Sequence, residues 1–120
     1  MVNILFTATR AASDHDELCS VVALGNEEQY LELQRSDEGL YLEVGRDQSP
    51  VGCHAGVERI SLDTKRLELR LTAVGSSRLG TEGRVQIPLR LTLEEARMLR
   101  ENLREITADL IAFDEALLAA

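Results

Sequence analysis

Between residues 30 and 44 the chain alternates with a period of two. Leu31 and Leu33 are flanked by Tyr30, Glu32 and Gln34, while Leu40, Leu42 and Val44 are flanked by Tyr41 and Glu43. Successive side chains of a strand point to opposite faces, so each run reads as a strand with one apolar and one polar face. The connecting Ser36-Asp37-Glu38-Gly39 reads as a hairpin loop ending in glycine. Pairing the leucines across one face gathers Tyr30, Glu32, Gln34, Tyr41 and Glu43 on the other. Residues 57–62 and 66–71 predict a second hairpin around Asp63-Thr64-Lys65, with Ile60 facing Leu69 and Leu62 facing Leu67. Glu58 then falls on the apolar parity. A bulge near Gly56 that flips the parity resolves this more simply than a buried carboxylate.

Three further strands follow from the pattern. Residues 2–7 carry Ile4 and Phe6, residues 18–24 are apolar on both faces as a central strand is, and residues 85–91 aim Val85, Ile87, Leu89 and Leu91 one way. Pro88 on the opposite face donates nothing to a ladder and marks an edge or a bulge. Residues 11–17, 45–56 and 73–84 are polar or glycine-rich and read as loops. The period then changes to 3.6. Thr92-Leu93-Glu94-Glu95 is a capping box, followed by Ala96, Leu99, Leu103, Ile106, Leu110, Phe113 and Leu117 at spacings of three and four. One helix over residues 93–118 is predicted, with a break near Thr107-Ala108 as the alternative. Strands over residues 1–91 and a helix over 92–118 make one α+β domain. Its expected form is a mainly antiparallel β-sheet of about six to seven strands with one long C-terminal helix packed on one face. Such a helix, about 39 Å long, overhangs strands of roughly 17–20 Å. Leu110, Phe113, Leu117 and Leu118 would then offer a surface to a second copy.

Composition sharpens this picture. Aromatic residues are 3% of the 120, so the core has to be built from Leu, Ile, Val and Ala. The formal net charge of -8 repels phosphate backbones and anionic lipid, which argues against nucleic acid and membrane surfaces as partners. It favours a basic protein, because complementary charge speeds encounter. No apolar run approaches the roughly 20 residues of a membrane span, and the opening Met-Val-Asn-Ile-Leu-Phe lacks the basic region of a signal peptide. Two cysteines, Cys19 and Cys53, are too few for a disulfide framework. A reduced, cytoplasmic protein is expected, with a Cys19–Cys53 bridge as the lesser alternative.

Catalytic signals are sparse. The sequence has no phosphate-binding glycine loop, nucleophile elbow, Cys-x-x-Cys, His-Glu-x-x-His or calcium loop. Cys53-His54 alone hints at nucleophilic chemistry, but neighbours in an extended chain point to opposite faces. Cys53 with His15, or Cys19 with His54, lacks an identifiable orienting third group. A zinc site from these four residues would lack paired ligand spacing. Glu32 and Glu43 would need a pocket to act as acid and base. No catalytic residue, metal or cofactor is therefore assigned. Binding is the better reading, since tyrosine favours interfaces and carboxylates beside it can receive Lys or Arg.

Several segments carry a family resemblance. Tyr30-Leu31-Glu32-Leu33-Gln34-Arg35, Leu40-Tyr41-Leu42-Glu43-Val44-Gly45, Ala55-Gly56-Val57-Glu58, Leu67-Glu68-Leu69-Arg70-Leu71 and Leu93-Glu94-Glu95 together resemble the immunity protein 10 family of bacterial polymorphic-toxin systems. The family's Tyr-Gly-Gly-Val-Glu element reads His54-Ala55-Gly56-Val57-Glu58 here, a departure at two positions. The resemblance implies a cytoplasmic antitoxin that binds a cognate toxin domain and occludes its active site without a cofactor. An acidic inhibitor suits a basic toxin such as a nuclease. Tyr30, Glu32, Gln34, Tyr41 and Glu43 are the expected contact residues. The alternative is a homodimeric chaperone or adaptor that uses the C-terminal helix.

Overall fold

The two hairpins form in the registers their patterns dictate, but they lie in different sheets. The computed structural model describes residues 3–46 and 50–115. Among them the order is β1 (Asn3–Ile4), β2 (Arg10–His15), β3 (Ser20–Gly25), β4 (Gln29–Ser36), β5 (Gly39–Arg46), β6 (Val51–His54), β7 (Val57–Leu62), β8 (Arg66–Leu71), α1 (Ala73–Leu79), β9 (Arg84–Pro88), α2 (Leu93–Thr107) and β10 (Ala112–Asp114). The first sheet is antiparallel in the order β2-β3-β4-β5-β6. The second has the order β1-β9-β8-β7-β10, with β1 parallel to β9 and β10 parallel to β7. The class is α+β, and the expected single sheet of six to seven strands is replaced by two sheets of five.

Alternation explains the core. Val22, Leu24, Leu31, Leu33, Leu42 and Val44 of the first sheet share one hydrophobic cluster with Ile60, Leu62, Leu67, Leu69, Val85 and Ile87 of the second. Leu99, Leu103 and Ile106 of α2 join it. The chain passes from one sheet to the other between β6 and β7, where Ala55 takes a left-handed φ of 55°. In the second hairpin Ile60 pairs with Leu69 and Leu62 with Leu67. The register shifts between Val57 and Arg59, so Glu58 is exposed, as a bulge there requires.

The three stretches expected as loops all hold regular structure. Residues 11–17 contribute most of β2, residues 45–56 hold β6, and residues 73–84 hold α1. The first strand is shorter than expected, and Val2 lies outside the described residues. Pro88 sits neither at a sheet edge nor in a bulge: β9 runs between β1 and β8. Instead β1 pairs only with Val85 and Gln86, and the chain leaves the ladder before the position where Pro88 has no N–H to offer. It returns at Ala8, whose N–H donates to the Pro88 carbonyl at 2.9 Å.

The long helix is likewise corrected. α2 ends at Thr107, the break foreseen as the alternative, and Leu117 and Leu118 lie outside the described residues. Three interactions close it. Thr107 Oγ1 donates to the Leu103 carbonyl at 2.7 Å. The Arg35 guanidinium donates to the Glu105 and Ala108 carbonyls at 3.0 and 2.6 Å, a cation at the negative helix end. Asp109 then turns with φ 64°. Phe113 does not overhang: it pairs with Ile60 in β10 and packs on the core. The helix lies against β2, β3, β4 and β10 rather than across one whole sheet. No helix among the described residues is long and apolar enough to cross a membrane.

The start of α2 does two jobs through Glu95. Its carboxylate accepts the Thr92 N–H at 3.0 Å, completing the capping box with Glu95 N–H on Thr92 Oγ1 at 3.1 Å. The other carboxylate oxygen accepts the Ala11 N–H of edge strand β2 at 3.0 Å. Those backbone donors from Thr92 and Ala11 hold the carboxyl below its usual pKa. A depressed carboxyl stabilises the fold above its unfolded pKa and loses that effect as pH falls through the folded value. Glu95→Ala is expected to cost about 1–2 kcal/mol in urea unfolding at neutral pH. The gap from wild type should close on acidification; a gap unchanged by pH would contradict the ionised-carboxylate role.

Candidate functional site

The outer face of the first sheet gathers the predicted residues. β4 and β5 pair Glu32 with Glu43, Gln34 with Tyr41 and Tyr30 with Gly45. Parity therefore places Tyr30, Glu32, Gln34, Tyr41 and Glu43 on one face, all half-buried. Glu43 is the centre. Its Oε2 accepts the Tyr30 hydroxyl at 2.5 Å and its Oε1 accepts the Tyr41 hydroxyl at 3.0 Å. Glu32 stands opposite, and Gln34, on the same face, bonds to none of the other four among the described residues.

Two glycines make this arrangement possible. A Cβ on Gly45 would lie 2.0 Å from Tyr30 Cε1, and one on Gly52 would lie 1.8 Å from the Tyr41 hydroxyl. Each phenol ring thus lies over bare backbone, where any side chain would displace it. The Tyr41 ring also meets the His54 ring at 4.9 Å between centroids. Arg78 of α1 donates to the Gly52 carbonyl at 3.1 Å, bringing one cation to the rim beside Tyr41. Gly45, Gly52, His54 and Arg78 were not foreseen as parts of the face. Only the position of Gly45 opposite Tyr30 was readable from the hairpin register.

The electrostatics are those of an under-compensated acidic face. The hydrogen bond to Glu43 and partial burial push the Tyr30 phenol up to about 12. Burial, then the bond to Glu43, raises that of Tyr41. Burial and the neighbouring Glu43 charge raise the carboxyl of Glu32. Among the described residues no Lys or Arg pairs with Glu32 or Glu43; the ion pairs lie elsewhere. A guanidinium or ammonium arriving from outside would meet oriented acceptors. The sequence holds only two tyrosines, so their titration is directly readable. Glu43→Gln should bring the Tyr30 transition back toward the ordinary phenol range in tyrosinate absorbance. An unmoved transition would mean that the contact is not held in solution.

The other chemistry-bearing residues stay apart. Cys53 is buried and its neighbour His54 is exposed, on opposite faces of β6. Both cysteines are free. Cys19 adjoins β3, three strands from β6, so roughly 14 Å of sheet separates them, beyond a disulfide's reach. No group of three His, Cys, Asp or Glu among the described residues is placed to hold a metal ion. Compared with family models, curated proteins and solved structures, the chain matches none.

Proposed function

We propose that this protein is an immunity-type inhibitor that binds a basic toxin domain through the outer face of its first sheet and occludes the toxin's active site. One observation carries the reading: Glu43 held by two tyrosine hydroxyls, with the uncompensated Glu32 directly opposite. The segments that resemble the immunity protein 10 family supply the toxin partner, and they alone supply it. Like charges directly opposed on a sheet are unfavourable without a counter-ion. Because the Glu32 carboxyl is raised, stability falls as pH rises through and above its unfolded value, which a partner's cation would reverse. The acidic surface also fits electrostatic steering toward a basic groove.

The test is capture of partners from the producing bacterium at low and high salt. A single toxin-bearing protein is expected, retained by the wild type and lost by Glu32→Lys/Glu43→Lys with the fold intact. Equal retention by the double variant would remove the face from the proposal. Recovery of no toxin-bearing protein would remove the antitoxin reading. The homodimer alternative rested on an overhanging helix, and that overhang is not formed among the described residues.

A further inference from the structure

The start of α2 and residues 89–92 enclose a cleft of about 630 Å³ with the β7–β8 turn, away from the tyrosine face. Pockets for small molecules commonly measure about 300–1,000 Å³, with apolar walls and a few polar groups. Leu89, Leu91 and Leu99 supply wall here, and Arg90, Arg97 and Arg100 line the same space. Leu93, at the rim, is 71% exposed.

The arginines are the unusual part. Several guanidiniums elsewhere are engaged: Arg35 on the end of α2, Arg59 with Asp114, Arg84 with Glu68, Arg104 with Glu115. In a chain of net charge -8, the three at the cleft pair with no carboxylate among the described residues. Asp63, also in the lining, is taken by its own turn, accepting the Lys65 and Arg66 N–H groups. The Arg100 Nε is buried with no hydrogen-bond partner. A buried donor in that state is unfavourable, and it belongs to a residue that lines the cleft. The start of α2 is not the attraction, because Thr92 and Glu95 already cap it.

We propose that this cleft binds a small amphiphilic anion, an apolar chain carrying one carboxylate-type head, with the head on Arg100 and its neighbours and the chain along the leucines. The site is independent of the toxin-binding reading. Decanoate and its uncharged twin decanol are suitable probes, titrated calorimetrically into the full chain. Decanoate should bind at least about tenfold more tightly than decanol, the usual margin of a charge-assisted hydrogen bond. Arg100→Gln should remove that margin and leave decanol unaffected. Should this variant misfold, Arg90→Gln/Arg97→Gln, at two exposed positions, asks the same question. Equal binding of the two probes, or a margin that survives both variants, would overturn the proposal. So would loss of decanoate binding in Glu43→Gln, which would place the ligand on the tyrosine face. A dimer in light scattering that Leu93→Asp dissociates, with no decanoate uptake by either form, would assign the cleft to a second copy.

Discussion

Leu33→Ala is expected to lower stability by about 2–5 kcal/mol and to melt both sheets in one transition. Leu33 is fully buried in β4, paired with Val22 and Leu42 on the inner face of the first sheet. Truncation removes apolar surface and leaves a cavity that close-packed neighbours fill only in part. A domain of this size has about 5–15 kcal/mol in all, so one methyl-rich side chain is a large share. Both sheets draw on the same hydrophobic cluster, so the loss is shared across the cluster. Urea unfolding followed by far-ultraviolet dichroism and by tyrosine signals should give coincident curves, with a lower midpoint and an unchanged slope. The tyrosines report the first sheet alone, so curves that separate would show that the sheets unfold independently.

Gly75→Ala should cost about 2 kcal/mol, against the usual helix preference for alanine. Alanine inside a helix gains about 1 kcal/mol over glycine. Here its Cβ would lie 2.1 Å from the Gly56 carbonyl oxygen, a backbone atom that cannot swing aside. Forced separation of this kind costs about 3 kcal/mol at the upper end of overpacking, so the clash wins. Gly83 is the control, since a Cβ there meets nothing within 4 Å. Gly83→Ala should be neutral or stabilise by up to about 1 kcal/mol. Because α1 carries Arg78, its displacement should also raise the Tyr41 transition further, as the nearby cation lowers it. Equal stability of the two variants would mean that α1 does not press on β6–β7 as closely as Gly56 and Gly75 indicate.

Local alternation was enough to give both hairpins, their registers and the shared face of Tyr30, Glu32, Tyr41 and Glu43, because a period of two leaves little choice. The capping box was equally readable, since all its atoms lie within four residues. What failed depended on distant partners. β2 looks like a loop because all its residues but Ala11 are exposed; its strand character comes from pairing with β3 and from Glu95. β6 was hidden by Gly52, which is small because the Tyr41 hydroxyl occupies the space of a side chain. α1 was hidden by Gly75 for the corresponding reason. The end of α2 turns on Arg35, some seventy residues away, and no periodicity reports that contact. Nor does any local pattern say which sheet a hairpin joins.

A strand at the rim of a sheet offers its free backbone groups to any other extended chain, which makes it a seed for fibrous aggregation. Glu95 withdraws one such group, the Ala11 N–H, with the same carboxylate that caps the helix. Solubility is thereby coupled to a helix cap. Acid strong enough to protonate Glu95, below the usual carboxylate range, opens the capping box of α2 and bares the Ala11 N–H of β2 together, so precipitation on acidification should begin from this corner while the hydrophobic interior is still intact.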